Sequence, residues 1–185
     1  MRALLILFIA LTPSAILAAE STPDTLSFEI PSGGWFAGWH GGPQETLFVD
    51  STTVHGGRYA ARIERTAENP SDDSAAMRGI RISCTGEFIE LRGWLKLENV
   101  TDGFAGLWMS EDSPGKPGVQ FENMWKTPLK GTDEWKEYRI VMKLDARATT
   151  LRFGAHLHGH GKVWIDDMRV LVDGKPISGA PARAK

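Results

Sequence analysis

The chain has 185 residues, a formal net charge of -2 and a single cysteine, Cys84. Both signs of charge are scattered along it, which excludes a basic stripe for nucleic acid and a polybasic patch for a membrane surface. One cysteine excludes an internal disulfide, so a domain built from this chain holds together by packing or by a bound ion. Cys84 itself reads as a small apolar core residue, since no activating pattern beside it marks a nucleophile.

At the start, Arg2 precedes an unbroken apolar run from Ala3 to Leu11, followed by Pro13, Ser14 and small residues ending at Ala18, Ala19 and Glu20. The pattern predicts a secretory signal peptide over 1–19, cut after Ala19 or Ala18, and hence a periplasmic or secreted protein. The run falls short of the about 20 apolar residues that span a bilayer, so membrane insertion is not expected. No cysteine stands at the cleavage point to carry a lipid anchor. What remains has the size of one domain, about 100–200 residues. It is expected to form that domain over 20–173, with a turn and a flexible tail over 174–185.

Beyond the leader, no long stretch places apolar residues at helical spacing, whereas short alternating runs recur between Gly, Pro, Asp and Asn. That is the pattern of an all-β domain. Strands are predicted over 26–30, 45–49, 59–65, 75–83, 88–98, 103–110, 118–123, 135–144, 149–158 and 162–172, a set that suits two stacked sheets. Successive strand side chains point to opposite faces, which assigns Leu91, Gly93, Leu95 and Leu97 inward and Arg92, Trp94 and Lys96 outward. In the same way Ala105, Leu107 and Met109 are inward with Trp108 and Ser110 outward. Val119 and Phe121 are inward with Gln120 and Glu122 outward; Leu151, Phe153, Ala155 and Leu157 are inward with Arg152, His156 and His158 outward. If these four strands are neighbours, their outward residues form one aromatic and polar surface.

The segments Leu26-Ser27-Phe28-Glu29, Asp50 to Arg62 with His55-Gly56-Gly57, and Val163-Trp164-Ile165-Asp166-Asp167-Met168 resemble the galactose-binding-like jelly roll of many carbohydrate-binding modules. Further motifs, Gly93-Trp94-Leu95, Ala105 to Met109, Phe121 to Met124, Gly131 to Trp135 and Gly159 to Asp167, are similar to an uncharacterised secreted bacterial module found beside peptidase or regulatory domains. This chain departs from that module by standing alone and by carrying Glu122 where the pattern has aspartate. The resemblance implies a two-sheet jelly-roll β-sandwich. It also implies a structural calcium held by Glu29, Asp50 and Asp166 or Asp167, completed by backbone carbonyls near Thr53 and Gly56. Calcium takes six to eight oxygen ligands and would staple a sandwich that lacks disulfides. The alternative is that these carboxylates hydrogen-bond local backbone. No organic cofactor is implied.

Tryptophans and polar groups supply the binding candidates. Sugars settle their C–H faces on indole rings and need bidentate partners for paired hydroxyls; Trp39, Trp94, Trp108, Trp125, Gln120, Glu122, Asn123, Arg152, His156 and His158 are candidates for that work. The competing reading makes Trp94, Trp108, Trp135 and Trp164 packing residues. His156, His158 and His160 at alternate positions could ligate a transition metal, but a turn at Gly159 to Gly161 would divert His160 and leave no third ligand. Glu122 with Glu111 or Asp112 could serve as a glycosidase-like pair, yet no nucleophile elbow, zinc helix or phosphate loop is present. Three functions follow: a non-catalytic module binding a carbohydrate or polyol on one sheet face, a protein-interaction module using that face, or a small polysaccharide lyase or hydrolase.

Overall fold

A computed structural model describes residues 26, 28–29, 35–37, 46–69 and 73–177. The predicted leader, Trp39 and the tail from 178 onward lie outside these residues. Every element among the described residues is a strand: β1 (Phe36–Ala37), β2 (Leu47–Asp50), β3 (Ala60–Arg65), β4 (Asp73–Arg81), β5 (Phe88–Ser113), β6 (Lys116–Glu122), β7 (Leu129–Lys143), β8 (Thr150–Val172) and β9 (Lys175–Pro176). No helix among them is long and apolar enough to cross a membrane.

The nine strands join in one antiparallel hydrogen-bonded sheet that folds over on itself. The fold is made by β5, 26 residues long, and β8, 23 residues long. They pair along nearly their whole length, from Ile89 opposite Val172 to Asp112 opposite Thr150. Their first and second halves serve different layers. One layer runs β1, β4, the first half of β8, the second half of β5, and β6; the other runs β2, β3, the second half of β8, the first half of β5, and β7. Between them lies one core that includes Ile63, Ile80, Leu91, Leu95, Leu107, Phe153 and Ile165. Each such side chain contributes about 1.5–3 kcal/mol through burial. This is the two-layer jelly roll that the residue pattern and the resemblance predict.

The layers meet at a corner where the β5–β8 register shifts between Glu98 and Phe104. Asn99, Asp102, Gly159 and Gly161 all take positive φ there. A side chain at Gly159 would stand 2.3 Å from the Thr101 carbonyl oxygen, and one at Gly161 2.5 Å from that of Asn99. Only glycine admits so close a backbone approach. Four predicted strands are therefore two, each bent through a bulged corner rather than ended at it.

Other expectations change in detail. Leu26 and Phe28 are buried in the core from turn and bend conformations, not from a strand. The predicted tail begins with β9, which pairs with β8 through Leu171 and Val172, and Ile177 packs on the core. Cys84 is half-buried at the core's margin. The inward sets of β5 and β8 stand as the alternation predicts, but β6 has the opposite phase: Phe121 lies opposite Ser110 and is 45% exposed, while Gln120 and Glu122 lie opposite the buried Glu111 and Met109. Trp108 and Ser110, expected on the surface, are 2% and 3% exposed.

Candidate binding cleft

Cross-strand partners share a face, so the ladders define the outer surface of the first layer row by row. Phe104, His158 and Asp73 form one row across β5, β8 and β4; Gly106, His156 and Ala75 form the next; Trp108, Gly154 and Met77 the third; Ser110, Arg152 and Gly79 the fourth. The small residues decide where the large ones lie. A side chain on Gly154 would come within 1.9 Å of the Ala76 carbonyl oxygen and 3.3 Å of Trp108 Nε1. With glycine there, the Trp108 indole crosses β8 and donates to the Ala76 carbonyl at 3.3 Å. Its nitrogen is satisfied by the fold, which makes Trp108 a wall rather than a hydrogen-bonding group.

A cleft of about 200 Å³ opens between these rows, lined by Asp73, Ser74, Phe104, Trp108, Asn123, His156 and His158. His156 is buried, and its Nε2 lies 3.0 Å from the Asn123 carbonyl oxygen. Burial pushes its pKa below the ordinary histidine value, with the Asn123 carbonyl and the charge of Asp73 opposing and His158 assisting. The ring is therefore neutral near pH 7. A carbonyl only accepts, so Nε2 carries the proton and Nδ1 is left as an acceptor. His158 is more open, with Nδ1 3.0 Å from Asp73 Oδ1. Phe104 stands edge-on to His156 at 5.0 Å between centroids and tilted to His158 at 6.1 Å.

Along one side runs the turn after β6. Glu122 Oε1 accepts the backbone N–H groups of Asn123 and Met124 at 3.1 and 2.9 Å, and Asn123 Oδ1 accepts that of Trp125 at 3.3 Å. These bonds hold Met124 at positive φ and leave Trp125 61% exposed beside the cleft, with Lys126 Nζ 5.6 Å from its ring.

Of the predicted binding residues, the fold thus brings together Trp108, Asn123, His156 and His158, with Trp125 on the adjoining turn. Glu122 shapes that turn. Gln120 Nε2 donates to the Lys143 carbonyl at 2.6 Å, away from the cleft. Arg152 shares the face but is held by Asp112, with Nη2 at 2.9 Å. Trp94 belongs to the other layer, where it stacks on His55 at 3.8 Å with Trp135 near by. The single surface expected from four strands is in fact two. The reasons are the reversed phase of β6 and the corner that puts the halves of β5 in different layers. Of the carboxylates weighed as a catalytic pair, Glu111 is buried and accepts from the Asp145 N–H, Asp112 holds Arg152, and Glu122 caps a turn. Phe104 and Asp73 complete the cleft without having been singled out in the sequence. Phe104 sits in the corner, and Asp73 lies in a Ser-Asp run that reads as a loop.

The carboxylates expected to hold calcium gather around the 51–59 loop, where peptide N–H groups donate to three of them. Asp50 Oδ1 accepts from Thr52 and Thr53, Asp166 Oδ2 from His55 and Gly56, and Glu29 Oε1 from Arg58 and Tyr59. Asp50 Oδ2 takes Arg62 Nη1 and Trp164 Nε1, and Asp167 Oδ2 pairs with His55 Nδ1 at 2.7 Å. The 51–59 loop thus gathers carboxylates from three distant segments, Glu29, Asp50 and Asp166, through its N–H groups. Among the described residues no three His, Cys, Asp or Glu side chains converge as metal ligands. His160 turns aside to Asp102 at 3.2 Å, which also ends the three-histidine reading.

No protein-family model matches the chain. Over 135 residues it is 29% identical to an uncharacterised HTH-type transcriptional regulator, YbfP, of Bacillus subtilis (strain 168); the match covers 72% of this chain and 45% of that protein, less than half its length. Among solved structures it is similar to the CBM22-1 xylan-binding domain of Paenibacillus barcinonensis Xyn10C, with a TM-score of 0.55 and 13% identity over 79% of this chain and 90% of that one. It is also similar to TmCBM61 in complex with β-1,4-galactotriose, with a TM-score of 0.52 and 15% identity over 81% and 97%. At such identities the likeness is one of fold, the jelly roll of carbohydrate-binding modules.

Proposed function

We propose that the protein is an exported, non-catalytic carbohydrate-binding module that grips a glycan or related polyol in the cleft between β4, β5, β8 and the turn after β6. The observation that carries this reading is the set of side chains in that cleft. Phe104 and the neighbouring Trp125 offer apolar surface for the C–H faces of a sugar, with the buried Trp108 indole as the wall behind. Asp73, His156, His158 and Asn123 offer hydrogen-bonding groups around one cleft. Support comes from the fold, which this chain shares with a xylan-binding domain and a galactotriose-bound module. The predicted leader over 1–19 supports export, and the ties of Glu111, Asp112 and Glu122 to the fold support a binding role over a catalytic one.

Calorimetric titration with galacto-, gluco-, manno- and xylo-oligosaccharides tests the proposal. Saturable binding is expected, weakened about tenfold or more by His158→Ala, which removes a hydrogen-bonding partner worth about 1.5 kcal/mol. Absence of saturable binding to every series would overturn it.

A further inference from the structure

We propose that the cleft receives a single terminal sugar ring, and an uncharged one in preference to a uronic acid. The inference rests on the carbohydrate-binding reading and narrows it to one class of ligand.

Size and closure point to one ring. Sites for drug-sized ligands span about 300–1,000 Å³; this one offers about 200 Å³, suited to one six-membered ring with its hydroxyls and not to a run of several. Along β8 the cleft lies between two features of the fold. At one end the cleft meets the corner, where a side chain on Gly103 would stand 2.3 Å from the His158 carbonyl oxygen. At the other, the Trp108 indole lies across β8, and beyond it Asp112 and Arg152 close on each other, Nε to Oδ2 at 2.7 Å. The end ring of a chain is the one that fits between these ends.

The balance of donors and acceptors selects the ring. The Asn123 carbonyl uses the Nε2 proton of His156, so the neutral ring presents Nδ1 as an acceptor. His158 Nδ1 donates to the Asp73 carboxylate at 3.0 Å. The carboxylate itself only accepts. No lysine or arginine lines the cleft: Arg152 belongs to Asp112, Arg65 behind it donates to Ser74 Oγ and to the Asp73 and Gly159 carbonyls, and Lys126 stands over Trp125 on the adjoining turn. Sugar hydroxyls can donate to every one of these acceptors. A uronate brings a further acceptor of the same sign as Asp73 into a partly enclosed site, where like charges are costly.

The test is titration of the full chain with the neutral galactose, glucose and mannose series, from monosaccharide to hexasaccharide, each against uronates of the same sugar and length. For the neutral series that binds, affinity is expected to change by less than about threefold from disaccharide to hexasaccharide. Its uronate is expected to bind at least about tenfold more weakly, the equivalent of one displaced charge interaction of about 1.4 kcal/mol. Asp73→Asn is expected to narrow that gap by about threefold or more. An affinity that climbs steadily with chain length, a uronate that binds as well as the neutral sugar, or a gap unmoved by Asp73→Asn would each overturn the inference while leaving carbohydrate binding intact. No saturable binding to any neutral series would sink the underlying reading as well.

Discussion

Two buried titratable side chains pull the stability of this protein in opposite directions with pH. Glu111 is fully buried; burial raises its pKa, its bond from the Asp145 N–H opposes the rise and the charge of Asp145 adds to it. A carboxyl whose folded pKa is raised contributes stability that is present below its unfolded value and lost as pH climbs through the folded one. His156, with its pKa lowered by burial, does the reverse: stability is full above the unfolded value and falls as pH drops toward the folded one. Glu111→Gln is therefore expected to raise the melting temperature at pH 7–8 by about 2–4 °C for each kcal/mol relieved, with the gain shrinking toward pH 4. Melts of both proteins across that range check it, and a constant difference would mean that Glu111 keeps its charge at no cost. At this scale the sequence was partly legible. Alternation placed His156 and His158 on the correct face of β8. It could not show that Trp108 would be buried, because that depends on Gly154 in a neighbouring strand leaving room for an indole.

At the scale of elements, the corner is the feature that the sequence half revealed. Gly159 and Gly161 punctuate the apolar alternation and so read as strand ends, while the ladder runs through them. Period-2 patterning reports where a strand is regular, not whether the chain beyond a bulge continues it. A comparison of two glycines tests the role of the corner. Gly159→Ala places a methyl 2.3 Å from the Thr101 carbonyl oxygen at φ 86°, whereas Gly115→Ala meets open space at φ 69°. Gly115→Ala is expected to cost about 1 kcal/mol from conformation alone, and Gly159→Ala several times that, read from denaturant melts. Equal costs would show that the corner yields easily. The phase of β6 escaped the sequence for a related reason. On an edge strand both faces carry mixed residues, so Phe121 looked like core when its register with Ser110 turns it outward.

For the molecule as a whole, β5 and β8 thread both layers, so neither layer is a separable unit. Unfolding is expected to be a single transition, with far-UV and near-UV signals superimposing in a urea titration. Two resolved midpoints would mean that the corner uncouples the layers. The fold class was legible from turn punctuation and alternation, because these are local. The cleft was not fully legible, because its lining comes from three strands and a turn whose registers only long-range pairing fixes. That pairing has one more consequence. The ladder that closes the sandwich joins Ile89 to Val172, contacts far apart in the chain of the kind that form slowly. A polypeptide emerging from its N-terminus therefore cannot zip its central ladder until the last long strand has been made. Up to that moment it stays threadable, a useful property in any chain that must pass through a narrow pore before it folds.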